Sequence, residues 1–317
     1  SKNINENSLI FLLSDNDYES VISIISAFFS HSVIMLLNAN IHQKSLDKLI
    51  SLYKPDYILL NKNKKLKVEK FNNKSSFNNY FILETSKATK KNLNPKLFLL
   101  QSTSGSTGSP KNVRISYENL ISNTNSIIKD LNIVENDVTI TTLPMNYVYG
   151  LSIINTHLMS GSKIILNKHS FFEKKFWREF LFNKVNNFGG VPFTYEILNK
   201  MGLKKENFEN LRYSTVAGGH LNDQTKKKII EFYEKNNISF ISMYGAAEAT
   251  ARMSILPGKF SKEKINSIGF PISGGEFKLL DEKNKIIDEP FVDGELIYNG
   301  KNVCMGYARN FNDLSKE

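Results

Sequence analysis

RYSTVAGGHLNDQTKKKIIEFYEKNNISFISMYGAAEAT occupies residues 212–250, and its reading decides the fold. Two short runs rich in β-branched and aromatic residues, 212–216 and 239–244, flank a segment of about residues 222–236 with helical periodicity. A strand–helix–strand connection of that length makes a right-handed crossover, so the two strands lie parallel with their carboxyl ends on one edge. Gly218 and Gly219 follow the first strand, and Tyr244 and Gly245 end the second. The four therefore meet at one rim, where open α/β sheets bind ligands. A flat base fits between glycine backbone and the Tyr244 ring, with Glu248 nearby to hold a cation.

Upstream the alternation of strand and helix continues. LIFLL (9–13) predicts a strand, about 17–29 a helix, VIMLLN (33–38) a strand, 44–53 a helix and YILLN (57–61) a strand, which together make a βαβαβ unit. Residues 62–79 are polar and charged, without periodicity, and read as a loop excursion. Further strands are expected at 97–101, 113–115, 138–142 and 163–167, with a helix begun at Ser116, whose hydroxyl caps the first turn. Strands this apolar imply parallel sheets buried on both faces. Beyond about residue 254, short alternating segments separated by Gly, Asp and Asn take over, and EFKLLDEKNKII (276–287) reads as a hairpin. The expected architecture is a layered α/β body with parallel-rich sheets over residues 1–254 and a small C-terminal β subdomain over 255–317.

LLQSTSGSTGSPKNVRIS (99–116) carries a second signal. Ser102, Thr103, Ser104, Ser106 and Thr107 offer hydroxyls, Gly105 and Gly108 let the backbone approach a ligand and expose its N–H groups, and Lys111 adds a cation behind Pro110. Such a loop suits polyphosphate oxygens. It is not a Walker loop, because Lys111 follows Pro110 and precedes Asn112 where G-x-x-x-x-G-K-[ST] is required. Its position between two predicted strands argues against a flexible linker.

Composition narrows the class. With 317 residues and 41% hydrophobic content the chain can bury a large core. The net charge of +10 comes from lysines scattered through Asn/Lys-rich loops and interleaved with acids, so a solvated surface explains it better than a nucleic-acid face. No apolar run is long enough to span a bilayer and no signal pattern opens the chain, so a soluble, cytoplasmic protein is expected. The lone Cys304 excludes an internal disulfide framework and reads as a small apolar residue.

Seven segments together carry a family likeness: STSGSTGSPKNVRISYENL (102–120), LPMNYVYGLS (143–152), GGVPFTYEIL (189–198), AGGHL (217–221), MYGAAEAT (243–250), IGFPISGGEFKLLDE (268–282) and GELIYNGKNVCMGY (294–307). In order and spacing they resemble the adenylate-forming superfamily of acyl-CoA synthetases, firefly luciferase and peptide-synthetase adenylation domains. The resemblance implies ATP-dependent activation of a carboxylic acid as an acyl-adenylate with loss of pyrophosphate, then transfer to coenzyme A or to a phosphopantetheine on an acyl carrier protein. By resemblance Thr103, Ser104, Gly105, Ser106, Thr107 and Gly108 would embrace the ATP phosphates with Lys111. Gly218, Gly219 and His220, with Gly245, Ala246 and Ala247, would border the adenine on which Tyr244 stacks. Glu248 would ligate Mg²⁺, and Lys111 and Glu248 would be the catalytic pair. Tyr147, Val148, Tyr149, Val191 and Phe193 suggest apolar walls for the acid.

The departures from the family pattern set further expectations. Ala247 stands where members usually carry a threonine, and Ala246 where polar residues are common. Tyr147 replaces the histidine of many fatty acyl-CoA synthetases, and Val148 falls about where peptide synthetases place an amine-binding aspartate, which disfavours an α-amino acid substrate. The family continues from its Gly-Tyr to a ribose-binding Thr-Gly-Asp segment, a hinge and a lid domain with a catalytic lysine, none of which falls within these residues. The expectation is the large N-terminal domain alone, poorly active by itself, with a non-catalytic nucleotide- or acyl-binding module as the alternative.

Overall fold

Six consecutive buried residues, Leu9–Ser14, form the first strand (β1), and a helix and a second buried strand follow at once: α1 (Tyr18–Phe29) and β2 (Val33–Asn38). Asp17 caps α1 by accepting from the Ser20 N–H, which is why the helix starts there. The computed structural model describes residues 4–68, 71–85, 91–102 and 111–317. Within them the chain continues through α2 (Gln43–Tyr53), β3 (Tyr57–Asn61), β4 (Phe71–Phe77), β5 (Tyr80–Thr85), β6 (Leu97–Ser102) and β7 (Asn112–Ser116). Next come α3 (Tyr117–Leu131), β8 (Val138–Ile140), α4 (Val148–Met159), β9 (Lys163–Ile165), α5 (Lys174–Phe182), β10 (Asn187–Gly190) and α6 (Pro192–Met201). The last elements are β11 (Tyr213–Val216), α7 (Asp223–Lys235), β12 (Ser239–Tyr244), β13 (Ser254–Leu256), β14 (Phe270–Pro271), β15 (Gly275–Leu280), β16 (Glu295–Gly300) and β17 (Tyr307–Ala308).

These strands form three sheets. An eight-stranded sheet runs β17-β7-β6-β2-β1-β3-β5-β4, a seven-stranded one β14-β13-β12-β11-β10-β8-β9, and β15 pairs with β16 alone. In the first, β6, β2, β1 and β3 are parallel; in the second, all strands from β9 to β12 are parallel and β13 and β14 close the edge antiparallel. The mixed α/β class with parallel-rich sheets is as expected. The helix at Ser116 is also there, with a complete capping box shared with Asn119. Residues beyond 254 are divided among all three sheets: β13 and β14 extend the second, and β17 lies antiparallel beside β7 in the first.

Two local readings are corrected, and one strand is added. Residues 62–79 are not only a loop, because β4 and β5 form a hairpin on the outer edge beside β3. The sequence FNNKSSF hides it, since an edge strand can stay polar while Tyr80 and Ile82 of its neighbour supply the burial. The segment 276–287 turns back only as far as one bridge, Leu280↔Ile286, and the true partner of β15 is β16. The short, glycine-rich β10 (NFGG), wholly buried, joins β8 to β11 and has no pattern that marks it in the sequence. No helix among the described residues is long and apolar enough to cross a membrane.

Candidate active site

The parallel pairing of β11 with β12, Tyr213↔Ser239 through Val216↔Ser242, brings both strand ends to one edge. There the chain opens a cavity of about 550 Å³, whose lining includes Gly218, Gly219, His220, Tyr244, Gly245, Ala246 and Ala247 from the rim and Tyr147, Val148 and Tyr149 from the start of α4. Gly218 has φ +85°, which favours glycine, and a Cβ there would stand 2.5 Å from the Tyr147 hydroxyl. Gly245 is pressed against the Ala251 carbonyl, 1.8 Å from where its Cβ would be, so no side chain fits. Tyr244 keeps 41% of its surface exposed, an unusual state for an aromatic ring at the end of a buried strand.

Beyond Gly245 the chain makes one 3₁₀ turn, Ala247–Ala249, and then passes through left-handed backbone at Thr250 (φ 60°) and Ala251 (φ 136°). Such geometry in non-glycine residues persists only when its surroundings over-determine it. Here Thr250 Oγ1 donates to the Asn302 carbonyl at 2.7 Å, and Asn302 Nδ2 donates to the carbonyls of Ala249 (2.8 Å) and Arg252 (3.2 Å). The buried Asn302 therefore holds the turn that displays Glu248 and Arg252.

Glu248 is half-buried and does not line the cavity; its carboxylate accepts from the Tyr307 hydroxyl at 2.6 Å. Lys111 Nζ lies 4.0 Å from the centre of the same Tyr307 ring. The two residues expected to act together thus converge on a third, which sequence reasoning did not single out. The Glu248 carboxylate beside it, with some burial, pushes the Tyr307 phenol up to about 12, so it is a hydrogen-bond donor at neutral pH. The contact becomes legible only once β17 has paired with β7 (Tyr307↔Val113) next to Lys111.

The other expected residues fall as follows. Thr103, Ser104, Gly105, Ser106, Thr107 and Gly108 lie outside the described residues; Ser102, at the end of β6, lines the cavity. Val191 packs behind Gly218, its Cγ1 3.4 Å from where a Cβ would stand, and does not line the cavity. Phe193 is 65% exposed on the first turn of α6 and does not line it either. His220 is exposed, 3.7 Å from Asp223. Arg252 and Ser242, which sequence reasoning passed over, do line the cavity, and both are buried. In the sequence the only hint was a lone arginine directly ahead of an apolar strand.

A family model described as AMP-binding enzyme matches residues 1–308. The 2-succinylbenzoate–CoA ligase of Listeria innocua is 28% identical over 208 residues, covering 66% of this chain and 41% of that protein. The chain thus matches about two fifths of the length of that curated relative. Among solved structures, o-succinylbenzoate CoA synthetase (MenE) from Bacillus subtilis superposes in complex with its acyl-adenylate intermediate with a TM-score of 0.76 at 19% identity, covering 96% of this chain and 62% of that one. The same enzyme in complex with ATP and magnesium gives 0.77 at 19%, covering 99% and 65%. At these identities the likeness is one of fold.

Proposed function

This chain belongs to the AMP-binding enzyme family, and from that premise we propose that it is the nucleotide- and acid-binding body of a ligase that activates a carboxylic acid with ATP. A carboxylate oxygen attacks the α-phosphorus, the bond from that phosphorus to the bridging oxygen breaks, and pyrophosphate leaves with the electron pair. A thiol, of coenzyme A or of a carrier-protein phosphopantetheine, then displaces AMP from the acyl carbon. The observation that carries this reading is the cavity itself, with exposed Tyr244 and the glycine backbone of residues 218–219 on the rim of two parallel strands.

In this reading Tyr244 stacks on the adenine, Gly218 and Gly219 form its flat opposite wall, and the segment from Thr103 to Gly108 takes the phosphates with Lys111. Glu248 supplies a hard carboxylate oxygen at the edge of the site. Magnesium suits one such ligand, because it completes its shell from phosphate oxygens and water. The chemistry a bound magnesium ion would supply there is neutralisation of charge on the phosphates. The Tyr307 hydroxyl orients Glu248, and in-line displacement needs such positioning more than covalent help. Ala247 offers no hydroxyl to the phosphates, which favours the non-catalytic binding module as the second reading.

ATP–pyrophosphate exchange against a panel of acyl and aryl acids, 2-succinylbenzoate among them because the relatives carry its name, separates the two. Exchange with any acid supports the ligase; nucleotide binding without exchange by the full-length protein supports the module. Tyr244→Ala should weaken ATP binding by about 1–3 kcal/mol, the worth of a base on an aromatic platform. Unchanged affinity in calorimetry, with an intact circular dichroism spectrum, removes the adenine from this rim.

A further inference from the structure

Arg252 is only 3% exposed, yet among the described residues no acceptor meets its Nε or Nη1. Its guanidinium lies 4.9 Å from the Tyr149 ring centre, and the residue is among those that line the cavity. The ionisable groups that face it are Tyr149, Tyr213 and His157, and burial keeps all three uncharged at neutral pH. A buried cation without a counter-ion is costly, and a cation–π contact offsets only part of that cost. Ser242, whose buried Oγ also has no partner among the described residues, lines the same cavity. Orphaned polar groups on an open cavity mark where a ligand completes the hydrogen bonding. The backbone around the arginine is fixed: Gly245 packs on its Cα, and Asn123 and Asn302 both donate to its carbonyl.

We propose that Arg252 receives a second carboxylate on the acid, so that the cavity selects dicarboxylic acids over monocarboxylic acids of the same length. The counter-ion absent among the described residues arrives with the substrate, and the planar guanidinium offers its donors in the fork that a carboxylate matches. Tyr147 and Tyr149 supply apolar surface beside it. The assignment rests on the acid-activation reading above, because it takes the cavity to hold the acid as well as the nucleotide.

The test is calorimetric titration of the full-length protein with matched pairs, hexanoate against adipate and benzoate against terephthalate, with ATP titrated separately. At least one diacid should bind roughly 10- to 100-fold more tightly than its monoacid partner, the worth of charge-assisted hydrogen bonds in a dry site. Arg252→Met should abolish that preference. The assignment is overturned if no diacid exceeds its partner, or if the preference survives in the methionine variant. Should that variant not fold, the wild-type pairs still decide. Diacid preference without ATP binding would keep the arginine assignment and defeat the adenylation reading; ATP binding without diacid preference would do the reverse.

Discussion

Arg114 on β7 and Arg252 behind the cavity rim are equally hidden, at 4% and 3% exposure, yet their surroundings are opposites. Arg114 Nη1 donates to the carbonyls of Asp313 (3.0 Å) and Lys316 (2.7 Å), and Nη2 to those of Met305 and Glu317. The guanidinium thereby ties residues 305–317 to the edge of the eight-stranded sheet, where the Tyr53 hydroxyl, itself accepting from Asn112 Nδ2, donates to the Ala308 carbonyl. Arg252 has an aromatic face and, among the described residues, no acceptor for its Nε or Nη1. A buried cation whose donors are used belongs to the architecture; one whose donors are idle is a cost that folding alone does not recover.

The contrast breaks most visibly on deletion. Arg114→Met takes a donor from four backbone oxygens at once, of which only that of Lys316 keeps another among the described residues, Asn94 Nδ2, and should lower the unfolding free energy by about 3 kcal/mol in urea titration. A variant as stable as the parent would mean that water replaces those bonds freely, and the two sites would no longer differ in kind. Arg252→Met should move stability the other way, by about 1–2 kcal/mol upward, because an uncompensated charge is replaced by an apolar chain of similar reach. A clear loss would show that the guanidinium supports the fold. The pairing of higher stability with lost acid selectivity is the trade-off expected of a site residue.

The smallest effect is on pH dependence. His157 Nδ1 is 2.8 Å from the Ile153 carbonyl, and Nε2 is buried without a partner among the described residues. Burial above all, and the nearby Arg252 charge in part, hold its pKa below the ordinary 6.5. The native state therefore refuses a proton that the unfolded chain accepts, so this contribution to stability is full above about pH 6.5 and is lost as the pH falls below it. Arg252→Met should raise the His157 pKa and shrink the stability difference between about pH 7.5 and about pH 5.5. An NMR titration of the ring that does not move between the two proteins would place the charge elsewhere.

Legibility follows the range of the interactions. The βαβαβ unit and the β11–α7–β12 crossover were readable because each strand's burial shows as a local apolar run and the crossover rule then leaves one arrangement. Tyr244, Gly218 and Gly219 were readable for the same reason: their place at the rim follows from the strand ends. Val191 and Phe193 sit in an apolar segment beside the site, but the turn into α6 places one behind Gly218 and the other in solvent. Tyr307 was hidden because its contacts with Lys111 and Glu248 require the last strand to return to the first sheet.

From the sequence alone came the α/β class, the parallel strands, the glycine–tyrosine rim and the family pattern, all properties of short segments whose backbone preference and apolar period are written in adjacent residues. Tertiary structure alone decided that β15 pairs with β16, that Tyr307 joins Lys111 to Glu248, and that both Nη atoms of Arg114 are bonded while Nε and Nη1 of Arg252 meet no acceptor among the described residues. The physical reason is that a side chain's partners are chosen by everything buried around it. Two arginines with the same intrinsic chemistry become a clamp and a receptor only when the packing has set which carbonyls each can reach.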